Sequence, residues 1–142
     1  MPFTGDEDIA DLLRSSARIA MVGASGRPDR PSFGVLAYLL AHGYDVMPIN
    51  PGLSGQRIQA QPVIDSLSNI TDPVDLVDIF RSSEAAGDAV DAAIAHGAKA
   101  VWMQIGVINH AAAERAEAAG LKVVMDRCPK VEMARLGITG PA

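Results

Sequence analysis

The sequence predicts an α/β fold with one doubly wound, parallel sheet, and three observations support this. Short, continuous apolar runs such as Ile19–Val22 are typical of strands that are buried on both faces. Segments in which apolar residues recur at helical spacing separate these runs. Three joints share one pattern, in which Gly43, Gly97 or Gly120 ends a helix and a strand begins within three residues. Strands that alternate with helices in this way form a parallel sheet with right-handed crossovers.

Length and composition predict a single domain over residues 1–142 that needs no disulfide or metal to fold. Of the 142 residues, 49% are hydrophobic and 20% charged, so the chain can bury a sizeable core. The formal net charge of -5 argues against a general nucleic-acid or anionic-membrane surface. Cys128 is the only cysteine, which favours a reducing, cytoplasmic setting. The acidic start does not have the pattern of a signal peptide, and no apolar run is long enough to span a membrane.

The first third of the chain predicts two helices and two strands. Asp6–Ser15 reads as a leading helix, with acidic residues favourably placed at its N-terminus. The strand Ile19–Val22 follows, and after a loop the apolar residues of Val35–Leu40 repeat at helical spacing. Gly43 ends that helix, and Val46–Ile49 forms the second strand.

The stretch from residue 52 to residue 62 is the least regular part of the sequence. Arg57–Gln59 is expected to form a short third strand, and Pro62–Leu67 a turn that leads into a short helix. With this third strand at one edge, the expected order of the sheet is 3-2-1-4-5-6, as in Rossmann-like domains.

The second half of the chain repeats the strand–helix unit three times. The predicted strands are Asp75–Phe80, Ala100–Gln104 and Val123–Met125, and the helices that follow them start near Ser82 or Ser83, near Asn109 and at Pro129. Serine and asparagine are preferred N-caps, and proline is tolerated in the first turn of a helix.

The first strand–helix loop is the strongest candidate for a binding site. In doubly wound sheets, ligands bind beyond the carboxyl ends of the strands, where the strand order reverses. The loop Gly23–Ser32 lies there, and it presents backbone N–H groups and the positive end of a helix dipole to an anion. Ser25 and Ser32 add hydroxyl groups, while Arg27 and Arg30 add charge-assisted hydrogen bonds. The loop therefore predicts a phosphate site.

The nucleotide motifs that such a loop often carries are not met here. In the G-x-G-x-x-G pattern, Ser25 stands at the position of the second glycine. Asn50 occupies the end of the second strand, where an acid would hold the ribose of a nicotinamide dinucleotide. No Gly-Lys-Ser/Thr follows the loop, so a Walker loop is absent as well. These departures argue against a dinucleotide.

Two acidic residues are unusual in a strand that is otherwise apolar. Asp75 is expected to open the strand, and Asp78 is expected to accept a hydrogen bond from the N–H of a neighbouring loop. A general acid–base role is the alternative. No spacing of cysteine and histidine indicates zinc, and no histidine is assigned a catalytic or metal-binding role.

Six segments of the chain resemble, in the same order, those of the small stand-alone coenzyme A-binding proteins. These proteins are similar to the N-terminal domain of the succinyl-CoA synthetase α subunit. The resemblance covers residues 10–136, and the segments that carry it are Val22–Ser25, His42–Val46, Ile49–Pro51, Pro73–Arg81, Lys99–Gly106 and Met125–Lys130.

The resemblance implies roles for residues in four regions, each of which lies at the end of a predicted strand. It assigns the coenzyme A phosphates to Gly23, Ala24, Ser25, Gly26 and Arg27, the adenosine border to Asn50 and Pro51, and the pantetheine arm to Phe80, Arg81, Ser82, Met103, Gln104 and Ile105. Leu53 stands near the place of a lysine in the synthetase, so Arg57 is a candidate for holding the adenosine end here.

The resemblance implies that the chain binds coenzyme A or an acyl-CoA without catalysis. One alternative is the coenzyme A-binding subunit of a split acyl-CoA synthetase, whose partner chain brings the phosphohistidine and the nucleotide site. A second alternative is a dinucleotide-binding redox sensor. Whether the chain pairs with a synthetase subunit or forms a homodimer is left open.

Cys128 has two interpretations. It lies just past the last strand, flanked by Arg127 and Lys130 at the N-terminus of a helix, a setting that favours a thiolate. It is therefore either a small residue that packs at a strand–helix junction or a redox thiol that exchanges with a coenzyme A disulfide.

Overall fold

Five parallel strands form the central sheet of the fold. The structure is a computed structural model that describes residues 2–142; Met1, at which the predicted domain begins, lies outside them. In chain order the strands are β1 (Arg18–Val22), β2 (Asp45–Ile49), β3 (Arg57–Ile58), β4 (Gln61–Pro62), β5 (Leu76–Ile79), β6 (Ala100–Met103) and β7 (Lys122–Val124). The sheet has the order β2-β1-β5-β6-β7, which is the order predicted for these five strands.

Five α-helices connect the strands and cover the sheet. They are α1 (Asp6–Ser15), α2 (Pro31–Ala41), α3 (Ala86–His96), α4 (His110–Ala118) and α5 (Pro129–Leu136), and two short 3-10 turns lie at Pro51–Leu53 and Leu67–Asn69. The predicted cap of α4 is confirmed, because Asn109 Oδ1 accepts a hydrogen bond from the Ala112 N–H at 2.9 Å. Ser82 was predicted to cap the helix that follows β5. Its hydroxyl instead accepts a hydrogen bond from the Ala85 N–H in the turn before α3, and Ala85 is the N-cap of that helix.

The two faces of the sheet bury separate apolar clusters. Residues of α1, α2 and α5, including Leu13, Leu36 and Met133, pack on one face. Residues of α3 and α4 pack on the other. Along β5 the side chains alternate, so that Leu76 belongs to the first cluster and Val77 to the second. Helices therefore cover both faces, as expected for a doubly wound sheet.

The short third strand does not join the sheet. β3 pairs with β4 in a separate antiparallel hairpin, and only Ile64 continues the sheet, through a single parallel bridge to Ile49. The reason is the turn at Gln59 and Ala60, whose φ values of 49° and 67° reverse the chain after two paired residues. The sheet therefore ends effectively at β2.

Asp75 opens β5, as predicted, at the amino-terminal edge of the sheet. Its Oδ2 atom accepts from the Ala17 and Arg18 N–H groups at 3.0 Å each, and Lys99 Nζ lies 3.2 Å from Oδ1. These contacts join the starts of β1, β5 and β6 at the edge opposite the binding loop. Within residues 2–142, none of the helices has the length and apolar character that crossing a membrane requires.

Candidate functional site

A cleft of about 750 Å³ lies at the carboxyl ends of the strands. The strand order reverses between β1 and β5: the chain runs from β1 to β2 on one side and later returns to β5 on the other side of β1. The cleft lies at this switch point. Most of the predicted binding residues line it, namely Gly23, Ala24, Ser25, Arg27, Ser32, Asn50, Phe80, Arg81, Ser82, Gln104 and Ile105.

Three predicted binding residues lie outside the lining of this cleft. Met103 is completely buried and packs in the cluster on the α3–α4 face. Pro51 lines a second, smaller cavity of about 170 Å³, and Arg81 lines both cavities. Gly26 faces the β3–β4 hairpin, since a Cβ atom there would lie 3.9 Å from Ile58 Cγ1. The proposed ligand contacts therefore concentrate on fewer residues than the sequence predicts.

The structure adds apolar residues to the predicted lining. Pro31, Val35, Val107 and Val131 join it, and Arg30, which was predicted to contact a phosphate, also lines the cleft. Helical spacing had placed Val35 on the inner face of α2, where it is indeed buried, so the pattern alone did not point to a ligand. Val131 is 50% exposed in the first turn of α5, and no pattern in the sequence points to it as a lining residue.

The loop after β1 uses several of its backbone N–H groups for its own structure. Gly23 and Ala24 donate to the Ile49 carbonyl oxygen at 3.0 and 3.2 Å. The Ser25 N–H donates to Ser32 Oγ at 3.1 Å, and the Arg27 N–H donates to Ser25 Oγ at 3.1 Å. The predicted cradle of backbone N–H groups is therefore occupied from within at these four residues. The reason is that the loop turns onto the end of β2.

The charged donors of the loop are two arginines. Arg27 forms an ion pair with Asp29 at 3.2 Å, but both side chains are about two-thirds exposed, so an incoming phosphate can compete for the guanidinium group. Arg30 lies at the N-cap of α2. Both arginines line the cleft, and the N-terminal dipole of α2 has the same sign. This end of the cleft is suited to a phosphate group.

Asn50 secures the same loop from the end of β2. Its Nδ2 atom donates to the Ala24 carbonyl oxygen at 2.8 Å, and its Oδ1 atom accepts from the Gly52 N–H at 2.9 Å. The amide thus bridges two loops, which an aspartate or glutamate could not do because a carboxylate only accepts. Arg57 does not line the cleft, and its guanidinium group donates to the Ala60 carbonyl oxygen within the hairpin.

Asp78 and Gln104 meet beneath the middle of the cleft. Asp78 is 0% exposed, and burial raises its pKa well above the ordinary value. One atom of the Gln104 carboxamide lies 2.8 Å from Asp78 Oδ1, and the Ile79 N–H also bonds to the carboxyl group. The predicted partner, the N–H of a neighbouring loop, is thus replaced by a side-chain amide and by the next residue of the strand. Gln104 itself is 7% exposed and lines the cleft.

The cleft is also lined by Cys128, the only cysteine of the sequence. Cys128 is 8% exposed and lines the cleft near Ile105, which is 63% exposed. Both neighbouring cations have partners: Arg127 pairs with Glu132 at 2.8 Å, and Lys130 lies 5.6 Å above the Tyr38 ring. Cys128 is a free cysteine at the N-cap of α5.

The lining of the cleft combines apolar, amide, hydroxyl and arginine side chains. Within the described part of the chain, neither histidine nor a carboxylate lines it. Among residues 2–142, no three or more His, Cys, Asp or Glu side chains form a group that could hold a metal ion. A doubly wound sheet with a positively charged loop and a long, mostly apolar cleft defines a Rossmann-like ligand-binding domain.

Comparison with known proteins assigns the family. The chain belongs to the family described as CoA binding domain, whose sequence model matches residues 17–134. The uncharacterized protein YneT of Bacillus subtilis (strain 168) is 35% identical over 127 residues, which make up 89% of this chain and 93% of YneT.

Solved structures share the fold over 82–96% of the chain. A hypothetical protein from Pyrococcus horikoshii OT3 is 38% identical with a TM-score of 0.90, and the match covers 96% of each chain. A protein from Thermus thermophilus is 34% identical with a TM-score of 0.88, over 94% of this chain and 99% of its own. The acetyl-coenzyme A synthetase 1 of Ca. Korarchaeum cryptofilum shares the fold at 23% identity and a TM-score of 0.70, over 82% of this chain and 27% of its own.

Proposed function

We propose that this protein binds coenzyme A or an acyl-CoA in the cleft at the carboxyl edge of the sheet and catalyses no reaction by itself. The observation that carries this proposal is the lining of the cleft, which combines arginines with apolar side chains in a member of the CoA binding domain family. Coenzyme A has charged phosphates at one end, an uncharged arm with two amides in the middle and a thiol at the other end. The cleft offers complementary groups in its lining, namely arginines, amide and apolar side chains, and the thiol of Cys128.

The proposed orientation places the phosphates at the loop after β1. Arg27 and Arg30 are the charged donors there, and Asn50 holds the loop in place. The arm then runs past the ends of β5 and β6, along Phe80 and Gln104. The thiol or acyl group then extends beyond the end of β6, where Ile105 and Cys128 also line the cleft.

Two alternative functions have less support. A subunit of a split acyl-CoA synthetase is supported by the shared fold alone. A dinucleotide-binding redox sensor is disfavoured because the Asn50 amide is committed to Ala24 and Gly52 and supplies no carboxylate for a ribose. The single, free cysteine fits the cytoplasmic setting that we propose for coenzyme A binding.

The test is ligand-dependent stabilisation, checked by calorimetry. Coenzyme A at about 100 times its Kd adds about 2.7 kcal/mol to the free energy of unfolding. We therefore expect coenzyme A to raise the melting temperature by several degrees, and NAD to leave it unchanged. Native mass spectrometry of the purified protein identifies any acyl group that is retained. Absence of both a thermal shift and a heat of binding at millimolar coenzyme A would overturn the proposal.

The purified protein is also assayed for coenzyme A-dependent release of phosphate from ATP. We expect none, because the cleft lacks a nucleophile–base pair among the residues that line it. Phosphate release would favour the synthetase alternative instead.

A further inference from the structure

Asp78 places a carboxyl group at the centre of the sheet, where an acid is costly. Its neighbours across the sheet are Met21 on β1 and Trp102 on β6, and all three residues are completely buried. Burial raises the pKa of Asp78, and the Ile79 N–H opposes this only in part. Because a buried carboxylate without a cation is strongly disfavoured, burial extends the pH range over which Asp78 is neutral.

The contact between Asp78 and Gln104 has two forms. They differ in which atom of the Gln104 amide, the oxygen or the nitrogen, faces the cleft. One amide atom of Gln104 lies 2.8 Å from Oδ1 and 3.3 Å from Oδ2 of Asp78. An ionised Asp78 can only accept, so the amide nitrogen then faces it and the amide oxygen is left for the cleft. A neutral Asp78 donates its O–H to the amide oxygen, which leaves the amide nitrogen for the cleft.

We infer that Asp78 is a positioning residue, whose neutral carboxyl group turns the Gln104 amide nitrogen toward the cleft to bind a carbonyl oxygen of the ligand. Coenzyme A supplies such oxygens in the two amides of its arm, so the inference rests on the proposed function and deepens it. Asp78 itself is buried and touches no ligand. It acts through Gln104, which is the only member of the pair that lines the cleft.

No other titratable group on the elements around Asp78 is placed to orient the Gln104 amide. On the same face of the sheet, Tyr44 donates its O–H to the Leu13 carbonyl oxygen at 2.6 Å, and burial raises its pKa to about 12. Glu132 on α5 is bound by Arg127 and Arg135. The remaining titratable or charged groups on the elements that pack there are Cys128 and Lys130 of α5, Tyr38 and His42 of α2, Arg27, Asp29 and Arg30 of the loop before α2, and the exposed Asp6, Glu7, Asp8, Asp11 and Arg14 of α1.

The inference predicts that the affinity for coenzyme A falls as pH rises through the pKa of Asp78. Asp78→Asn retains an N–H donor for the Gln104 oxygen at every pH, so this variant imitates the neutral acid. Calorimetry measures the Kd of wild type and variant from about pH 5 to about pH 9, the range in which fully buried carboxyls titrate. The phosphate of coenzyme A titrates near pH 6 in both proteins, so it cancels in the ratio of the two Kd values.

We expect the Kd of the wild type, divided by the Kd of Asp78→Asn, to rise about 2- to 10-fold from the lowest to the highest pH. This factor corresponds to the loss of one hydrogen bond. Asp91→Asn, the same chemical change at an exposed position of α3, is the control and leaves the ratio flat. In a Gln104→Met background, Asp78→Asn loses its effect on the pH profile, because the amide through which it acts is gone. A flat ratio for Asp78→Asn, or an unchanged effect in the Gln104→Met background, overturns the inference.

A measurement on the wild-type chain keeps the test independent of whether the variants fold. NMR with carboxyl-labelled aspartate follows the titration of Asp78 in the free and the coenzyme A-saturated protein. Linkage is reciprocal, so we expect coenzyme A to raise the pKa of Asp78 further. A pKa that coenzyme A does not change overturns the inference but leaves the proposed function intact. Failure of the wild type to bind coenzyme A at any pH overturns both.

Discussion

Gly23 lies so close to Phe80 that a side chain at position 23 would overlap the carbonyl oxygen of Phe80. The two residues follow β1 and β5, whose last residues pair across the centre of the sheet. The Phe80 N–H also donates to the Val22 carbonyl oxygen at 2.8 Å, which locks the two chain segments together. The binding loop thus starts from a point that only glycine can occupy, with a φ of 83°.

Gly23→Ala is expected to destabilise the protein more than a glycine substitution that costs only backbone strain. The change adds an overlap with the backbone carbonyl group of Phe80, and a tight contact with the Arg81 side chain, to a strain of about 1–2 kcal/mol. Gly97→Ala is the matched control, since Gly97 has a φ of 81° but open space where the Cβ atom would lie. Urea denaturation measures both free energies of unfolding. Equal losses in the two variants would contradict the close approach.

Arg27→Ala is expected to weaken coenzyme A binding about 10- to 100-fold, because a hydrogen bond to a charged group is worth about 1.5–3 kcal/mol. The stability of the protein should change little, since the ion pair with Asp29 is exposed. Arg14→Ala, in an exposed pair on α1, is the control. Calorimetry with pantetheine, which has no phosphate, separates the two ends of the ligand. If Arg27→Ala weakens pantetheine binding by the same factor, Arg27 does not contact a phosphate.

Asp78→Asn is expected to change how stability depends on pH. The folded-state pKa of Asp78 is raised, so folding takes up a proton between the unfolded pKa of about 3.9 and that raised value. The wild type therefore loses up to about 1.4 kcal/mol of stability for each pH unit as pH rises through this window. The variant has no such group and should gain on the wild type over the same window. Urea denaturation at a series of pH values checks this, and parallel curves would refute the buried neutral acid.

Cys128 is expected to form a mixed disulfide with coenzyme A if it is the redox thiol rather than a packing residue. Its thiolate attacks coenzyme A disulfide, so one protein–coenzyme A disulfide forms and one coenzyme A thiolate leaves. Intact-mass spectrometry should show one added coenzyme A per chain, which a reductant removes and Cys128→Ser does not acquire. If the thiol stays unmodified while coenzyme A still binds, Cys128 serves packing alone, as its 8% exposure allows.

Much of the fold could be predicted from the sequence because its signals are local. The helix α1 has the predicted bounds, and Asn109 caps α4 with its own side chain. The location of the cleft also followed from the sequence, since the carboxyl ends of parallel strands meet at one edge. The loop after β1 was identified by its small residues and arginines, and it does line that edge.

Long-range contacts decided the rest, because no spacing in the chain encodes them. Gln59 and Ala60 take left-handed conformations without being glycines, which moves the third strand out of the sheet. The N–H groups that the loop was expected to offer a phosphate are bound instead to Ile49 on a neighbouring strand and to serines of the loop.

The pairing of Asp78 with Gln104 is the clearest case of what only the tertiary structure decided. The two residues are far apart in sequence, and the pattern of β5 shows an acid in an apolar strand without showing its partner. Registration of β5 against β6 places Asp78 beside Trp102, so Gln104, two residues further along, projects on the same face above the acid. The sequence determined that an acid is buried there, and strand pairing determined which group meets it.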